Sequence, residues 1–224
     1  MKNPWFDYLQ QRSHDTFHDL DRENAKAFNM AMKGRKSFLL ADYLEPFPFL
    51  GNPKAPILVL LANPGKSGKE ARRSYKMPAQ KLRLSNDNLL HKGEDFSKRL
   101  HSPDIPSLES KWFKARTKRL VEDTSVEAVS NNLFFVNFHA YHSKSWYPIP
   151  FTFETQRYSF WLVAKALDRG AIVLMSRNTI GWLTAIPALV SYKNKFEFQS
   201  SRSVHISSNN LTRKTYRKIV AQLD

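Results

Sequence analysis

The chain has 224 residues and a mass of 26.0 kDa, the size of one ordinary domain with room for a substantial core. Lys plus Arg number 35 against 20 Asp plus Glu, a formal net charge of +15, and such a field draws in polyanions and hastens encounter with them. The lack of cysteine excludes disulfides, thiolate catalysis, zinc ribbons and cysteine-held iron–sulfur clusters.

Apolar residues at Trp5, Phe6, Leu9, Phe17, Leu20, Phe28 and Met32 among charges suit one or two amphipathic helices, so residues 1–45 read as an N-terminal helical cap. From Glu45 to Pro56 four prolines and a glycine forbid regular helix and suggest an extended surface approach to the core. Residues 57–62, ILVLLA, form a continuous apolar run ended by Asn63-Pro64-Gly65, as in a buried central strand with a tight turn at its carboxyl end. Residues 66–112 are polar and basic and read as an insertion. Trp112 to Val129 reads as helix carrying Lys114, Arg116, Lys118 and Arg119, with Lys111 just before it. LFFVNF, residues 133–138, is a second buried strand.

A helix from Thr155 to Leu167 stops at Asp168-Arg169-Gly170, where glycine permits a left-handed terminus. Ala171 to Met175 is a third strand, and Asn178 to Leu189 a proline-interrupted helix. Phe196 to Phe198 and Ser203 to His205 are short strand candidates, and a basic amphipathic helix runs from Leu211 to Leu223. Strands alternating with helices imply an α/β fold: a three-layer α/β/α sandwich about a mainly parallel sheet of four or five strands, with added N-terminal helices, forming a single domain over residues 1–224. Ligands of such folds bind outside the carboxyl ends of the strands. Asn63, Asn137 to His142, Ser176 to Asn178 and His205 to Asn210 all fall there.

Three chemistries fail on spacing. Gly65-Lys66-Ser67 has the tail of a phosphate loop, but the opening glycine would fall at Leu60, inside a strand. His139 and His142 lack a nearby carboxylate to complete a metal site. Ser207 and Ser208 sit in no Gly-x-Ser-x-Gly elbow. What remains is an Asn-Pro turn after the first strand, an asparagine near the end of the second, and a His-x-Ser-Ser-Asn loop late in the chain.

In that order these motifs resemble the uracil-DNA glycosylase superfamily, most nearly the Asn-Pro-Gly branch of mismatch-specific uracil and thymine glycosylases, over roughly residues 48–211. The resemblance implies that Asn63 positions the attacking water and that Asn137 reads the edge of an extruded base, with donor and acceptor in one amide. It implies that His205 stabilises charge on the departing base, although the usual His-Pro-Ser-Pro is here His205-Ile206-Ser207-Ser208, without its prolines. Tyr75 takes the place of a ring stacked on the base, with Tyr141, His142 and Trp146 as further pocket walls. Ser207 and Ser208 would hold a phosphate, and Leu211, or else Asn210, would wedge into the vacated stack.

Lys66, Lys69, Arg72, Arg73 and Lys76, with Arg213, Lys214, Arg217 and Lys218, form two basic clusters suited to phosphate contacts. Plainer readings stand beside these: Asn63 as a turn former, Asn137 as a partner for a buried carbonyl, and His205 as an ordinary surface residue. The expectation is a monofunctional, metal-free and cofactor-free DNA glycosylase. It would excise uracil, a mismatched pyrimidine or a bulky modified cytosine as in phage DNA, in repair or antiviral defence. DNA is the expected partner of a cytoplasmic monomer with no membrane segment. The alternative is a non-catalytic DNA-binding protein with a glycosylase-like fold.

Overall fold

The computed structural model describes residues 1–10, 15–66, 85–92 and 108–223. Three parallel strands make the centre of one five-stranded sheet: β2 (Ile57–Leu61), β3 (Leu133–Asn137) and β4 (Ile172–Met175). At one edge β1 (Phe49–Gly51) pairs antiparallel with β3, and at the other β5 (Lys195–Glu197) pairs parallel with β4, giving the order β1-β3-β2-β4-β5. The expected α/β fold with a mainly parallel sheet is present.

Apart from Asn137 at the end of β3, the central strands are apolar at every position because both faces are covered. Leu58, Leu60, Phe134, Val136, Val173 and Met175 point to one layer, which holds α1 (Trp5–Gln10), α5 (Gln156–Asp168), α6 (Thr179–Ala185) and α7 (Ala188–Ser191). Their neighbours Ile57, Val59, Leu133, Phe135, Ile172 and Leu174 point to the other, where α3 (Leu108–Asp123), α4 (Val126–Asn132) and α8 (Arg213–Val220) contribute Phe113, Leu120, Val129, Tyr216 and Ile219. The period-2 alternation of strand side chains thus assigns each residue to its layer.

A third apolar cluster gathers Phe17, Ala25, Phe28, Leu40, Tyr141 and Phe153 beneath α2 (Asp19–Ala31). Asp21 of α2 is fully buried there. It accepts from the hydroxyls of Tyr141 (2.6 Å) and Thr155 (2.5 Å) and from the Thr155 N–H (3.2 Å), and burial raises its pKa. Helix α2 is therefore bonded into the start of α5 and the loop after β3.

Three expectations need correction. The proline-rich segment is no surface approach, since Phe49 and Leu50 are buried in an edge strand where prolines on either side cost little ladder bonding. Ser203 to His205 form no strand, because Ile206 bonds instead to the carbonyl of Arg116 on α3. The helix expected from Trp112 begins at Leu108 and breaks between α3 and α4, where Ser125 caps the latter. The proline interruption expected between Asn178 and Leu189 falls at Ile186-Pro187, which separates α6 from α7. Gly170, at φ +78°, ends α5 in the left-handed region as expected. Among the described residues no helix is long and apolar enough to cross a membrane.

Candidate functional site

β2 and β3 run parallel with Leu61 opposite Asn137, so the segment carrying Asn63 leaves the sheet beside Asn137. The Asn63 amide Nδ2 donates to Ser143 Oγ at 2.9 Å and to the Pro64 carbonyl at 3.1 Å. Ser143 Oγ in turn donates to the Ser145 carbonyl, its N–H donates to the Pro64 carbonyl, and Gly65 and Ser143 form a parallel bridge. The loops after β2 and β3 are thereby zipped together. Both Asn63 donors point into the protein, and Oδ1 remains as an acceptor with no partner among the described residues.

Asn137, the last residue of β3, is 2 % exposed. Its Nδ2 donates to the Phe47 carbonyl at 2.8 Å, whereas its Oδ1 is buried with no hydrogen-bond partner among the described residues. A buried acceptor left unmade costs about 1–3 kcal/mol, a cost that a ligand donor would offset.

The histidines at this edge divide sharply. His142 sits between two carbonyls, Gly65 O at 2.9 Å from Nδ1 and Glu45 O at 3.1 Å from Nε2, so its ring bridges the Asn63 loop to the segment before β1. His139 is 3 % exposed, with Nδ1 accepting from the Tyr141 N–H and the ring stacked on Trp146 at 5.3 Å. Burial, together with the nearby His142, pushes its pKa down to about 3, so it is neutral at any physiological pH. Ser176, at the end of β4, bonds to the Leu60 carbonyl, and the indole of Trp182 on α6 bonds to that of Leu61.

Tyr141 does not line an open surface. Its ring is 1 % exposed between Phe17 and Phe153, and its hydroxyl, held on Asp21, has a pKa raised well above the usual value. Half-buried Trp146, edge-on to Phe138 and stacked on His139, is the aromatic wall that remains. Lys66 is half-buried with its ammonium 4.8 Å from the centre of the Tyr43 ring. Arg72, Arg73 and Tyr75, with Lys69 and Lys76, lie outside the described residues.

His205 belongs to a different neighbourhood. Its Nε2 lies 2.5 Å from Arg116 Nη1 on α3. A guanidinium can only donate, so Nε2 accepts and the ring proton sits on Nδ1. No described contact joins His205 to Asn63. The loop around it is built by Asn210, whose Oδ1 accepts from the Ser200 N–H while Nδ2 donates to the carbonyls of Ser203 and His205. Its amide, expected to face DNA, is thus engaged within the loop.

Leu211 is 0 % exposed in the core under α8, leaving no surface to insert between bases. Ser207 is half-buried, and Ser208, Arg213, Lys214 and Arg217 are exposed around the first turns of α8, which Thr212 caps. Lys218 is tied to Asn194 and lies over the Phe196 ring.

The structure therefore brings Asn63, Asn137 and His142 to one sheet edge with Ser143, His139 and Trp146, and sets His205, Ser207, Ser208, Arg213 and Lys214 on the α3/α8 side with Arg116. Neither Ser143 nor Arg116 stands in a motif that would single it out in the sequence. No set of three or more metal-binding side chains gathers among the described residues. Comparison with known protein families, with curated proteins and with solved structures finds no match for this chain.

Proposed function

We propose that this protein is a monofunctional DNA glycosylase. The observation that carries the reading is the buried, unpartnered Oδ1 of Asn137 beside the turn that holds Asn63. An acceptor at the carboxyl edge of the sheet, with a second free acceptor on Asn63, suits recognition of one N–H of an extruded base and alignment of one water. The water, oriented by Asn63 Oδ1, attacks the anomeric carbon as the N-glycosidic bond breaks. The base departs with the bonding pair and is then protonated, the water loses a proton, and an abasic sugar remains. His205, held by Arg116 on the α3/α8 side, has no part in this step. Uracil, a mismatched pyrimidine and a bulky modified cytosine are the substrates to compare.

The test incubates the full chain with uracil-containing DNA and with modified phage DNA and scores alkali-labile breaks. Wild type should produce them on at least one substrate. Asn63→Ala should lose release by about a hundredfold or more while DNA affinity is kept. No breaks on either substrate refutes the proposal.

The occupied Nε2 of His205 and the buried Leu211 favour a second reading, a DNA-binding protein of this architecture without the chemistry. It predicts duplex or single-strand affinity with no base release and no effect of Asn63→Ala.

A further inference from the structure

Arg116 combines features that a purely structural arginine rarely has. It lies midway along α3 with its Nε buried and without a hydrogen-bond partner among the described residues. No carboxylate among the described residues pairs with it. Its side chain meets His205 Nε2 and the face of Trp112, 5.8 Å away. Glu122 and Asp123 of the same helix are committed elsewhere, both to Arg119, and Asp123 also to the Tyr216 hydroxyl. Desolvation with nothing to compensate lowers the Arg116 pKa from its ordinary value, although the group stays charged at any relevant pH.

The surroundings add positive potential and donors. The Arg116 carbonyl accepts from the Ile206 N–H, which brings the segment carrying Ser207 and Ser208 to the same junction. Lys111, Arg202, Arg213 and Lys214 are exposed on the same side of the sheet and form no ion pair among the described residues.

We propose that Arg116 is the anchor of a phosphate-binding site, with Ser207 as its hydroxyl donor and His205 as the positioning residue that aims the guanidinium. A half-desolvated guanidinium without an acid is what a fork-shaped anion contact requires in its empty state, since the phosphate supplies the missing charge and accepts from two N–H groups at once. His205 accepts through Nε2, so it fixes the guanidinium plane without competing for the anion. The proposal deepens the nucleic-acid reading above, for which the anion is a phosphodiester, but it does not require that base release occur.

The test follows the Arg Nε–H correlations of the full chain by NMR during titration with inorganic phosphate and, separately, with an oligothymidylate, each against chloride at equal ionic strength. The Arg116 signal, assigned by its loss in Arg116→Gln, should move saturably with phosphate and with the oligonucleotide but not with chloride. Arg116→Gln should weaken oligonucleotide binding about tenfold to a hundredfold. Arg116→Lys, which keeps the charge without the fork, should rescue only part of it. His205→Phe should weaken binding less than Arg116→Gln, the mark of a positioning role.

A response to the oligonucleotide alone also supports the site and assigns it to nucleic acid, whereas a response to free phosphate alone supports the anion site and removes the nucleic-acid assignment. Equal movement with chloride, or binding unchanged in a folded Arg116→Gln, overturns the proposal. Because no readout involves base excision, an inactive enzyme with an intact Arg116 response sinks the glycosylase reading and leaves this one standing.

Discussion

His139 offers the sharpest quantitative test of the sheet edge. In the unfolded chain its imidazole titrates at the ordinary value of 6.5, while in the fold burial and the neighbouring His142 hold it at about 3. Between those values the unfolded state binds a proton that the native state refuses. The stability His139 permits is therefore complete above 6.5 and drains away as pH falls through 6.5 towards 3. The slope is 1.36 kcal/mol per unit, so about 2.6 kcal/mol is lost between pH 7.5 and 4.5. Stacking on Trp146 works in the other direction, since an imidazolium over an indole gains about 2 kcal/mol, and that gain is smaller than the cost of burying the charge.

Asp21 also titrates, and with the opposite sign: its raised pKa lets the native state take a proton first, which favours folding on acidification. Comparison with His139→Phe cancels that contribution because Asp21 is present in both proteins. The substitution keeps a ring against Trp146 and forfeits the acceptor for the Tyr141 N–H, an offset that does not depend on pH. Urea unfolding followed by tryptophan fluorescence should show the variant gaining about 2.6 kcal/mol relative to wild type between pH 7.5 and 4.5. A difference that stays constant across that range refutes the assignment of His139 as a neutral, buried group.

Asp21→Asn should cost about 1–3 kcal/mol in the same assay at neutral pH, because an amide turns one of the two acceptor oxygens towards the Thr155 and Tyr141 donors into a donor of its own; no loss would show that the network adds nothing. Gly51→Ala should destabilise by more than about 1 kcal/mol, since Gly51 has φ +101° and a Cβ there would collide with the Leu133 carbonyl oxygen; an unchanged denaturation midpoint contradicts the packing of β1 on β3. Exchanging Arg213, Lys214 and Arg217 for Gln should flatten the salt dependence of DNA binding by about 0.9 units of slope for each phosphate no longer neutralised, and an unaltered slope would show α8 to present ordinary solvated surface.

Much of the sheet can be read directly from the chain. β2, β3 and β4 each announce themselves as an unbroken apolar run because a strand covered on both faces has no polar side. β1 is hidden among prolines, since what makes it a strand is antiparallel pairing with residues 134–136, which lie more than eighty positions away. At the site, Asn63 and Asn137 are legible by the same logic: polar residues where buried strands end have few uses besides ligands or loop bonding, and the loop bonds of both are present here.

Where sequence and structure part, the cause is the same each time. Motif position, counted from His205, puts Leu211 at the surface, yet Leu211, Thr215, Ile219 and Leu223 recur every fourth residue and are all buried, the stripe by which a helix joins a core. Helical periodicity is the stronger signal and motif position the weaker. No local pattern places Tyr141 or Arg116, since each is defined by one distant partner, Asp21 for the phenol and His205 for the guanidinium. A carboxylate 120 positions away turns an aromatic pocket wall into a core residue, and an imidazole 89 positions away holds one basic residue among several on α3, a cation that burial desolvates and no acid among the described residues pairs. The function of a basic surface thus depends less on how many charges it displays than on which of them the fold has left uncompensated.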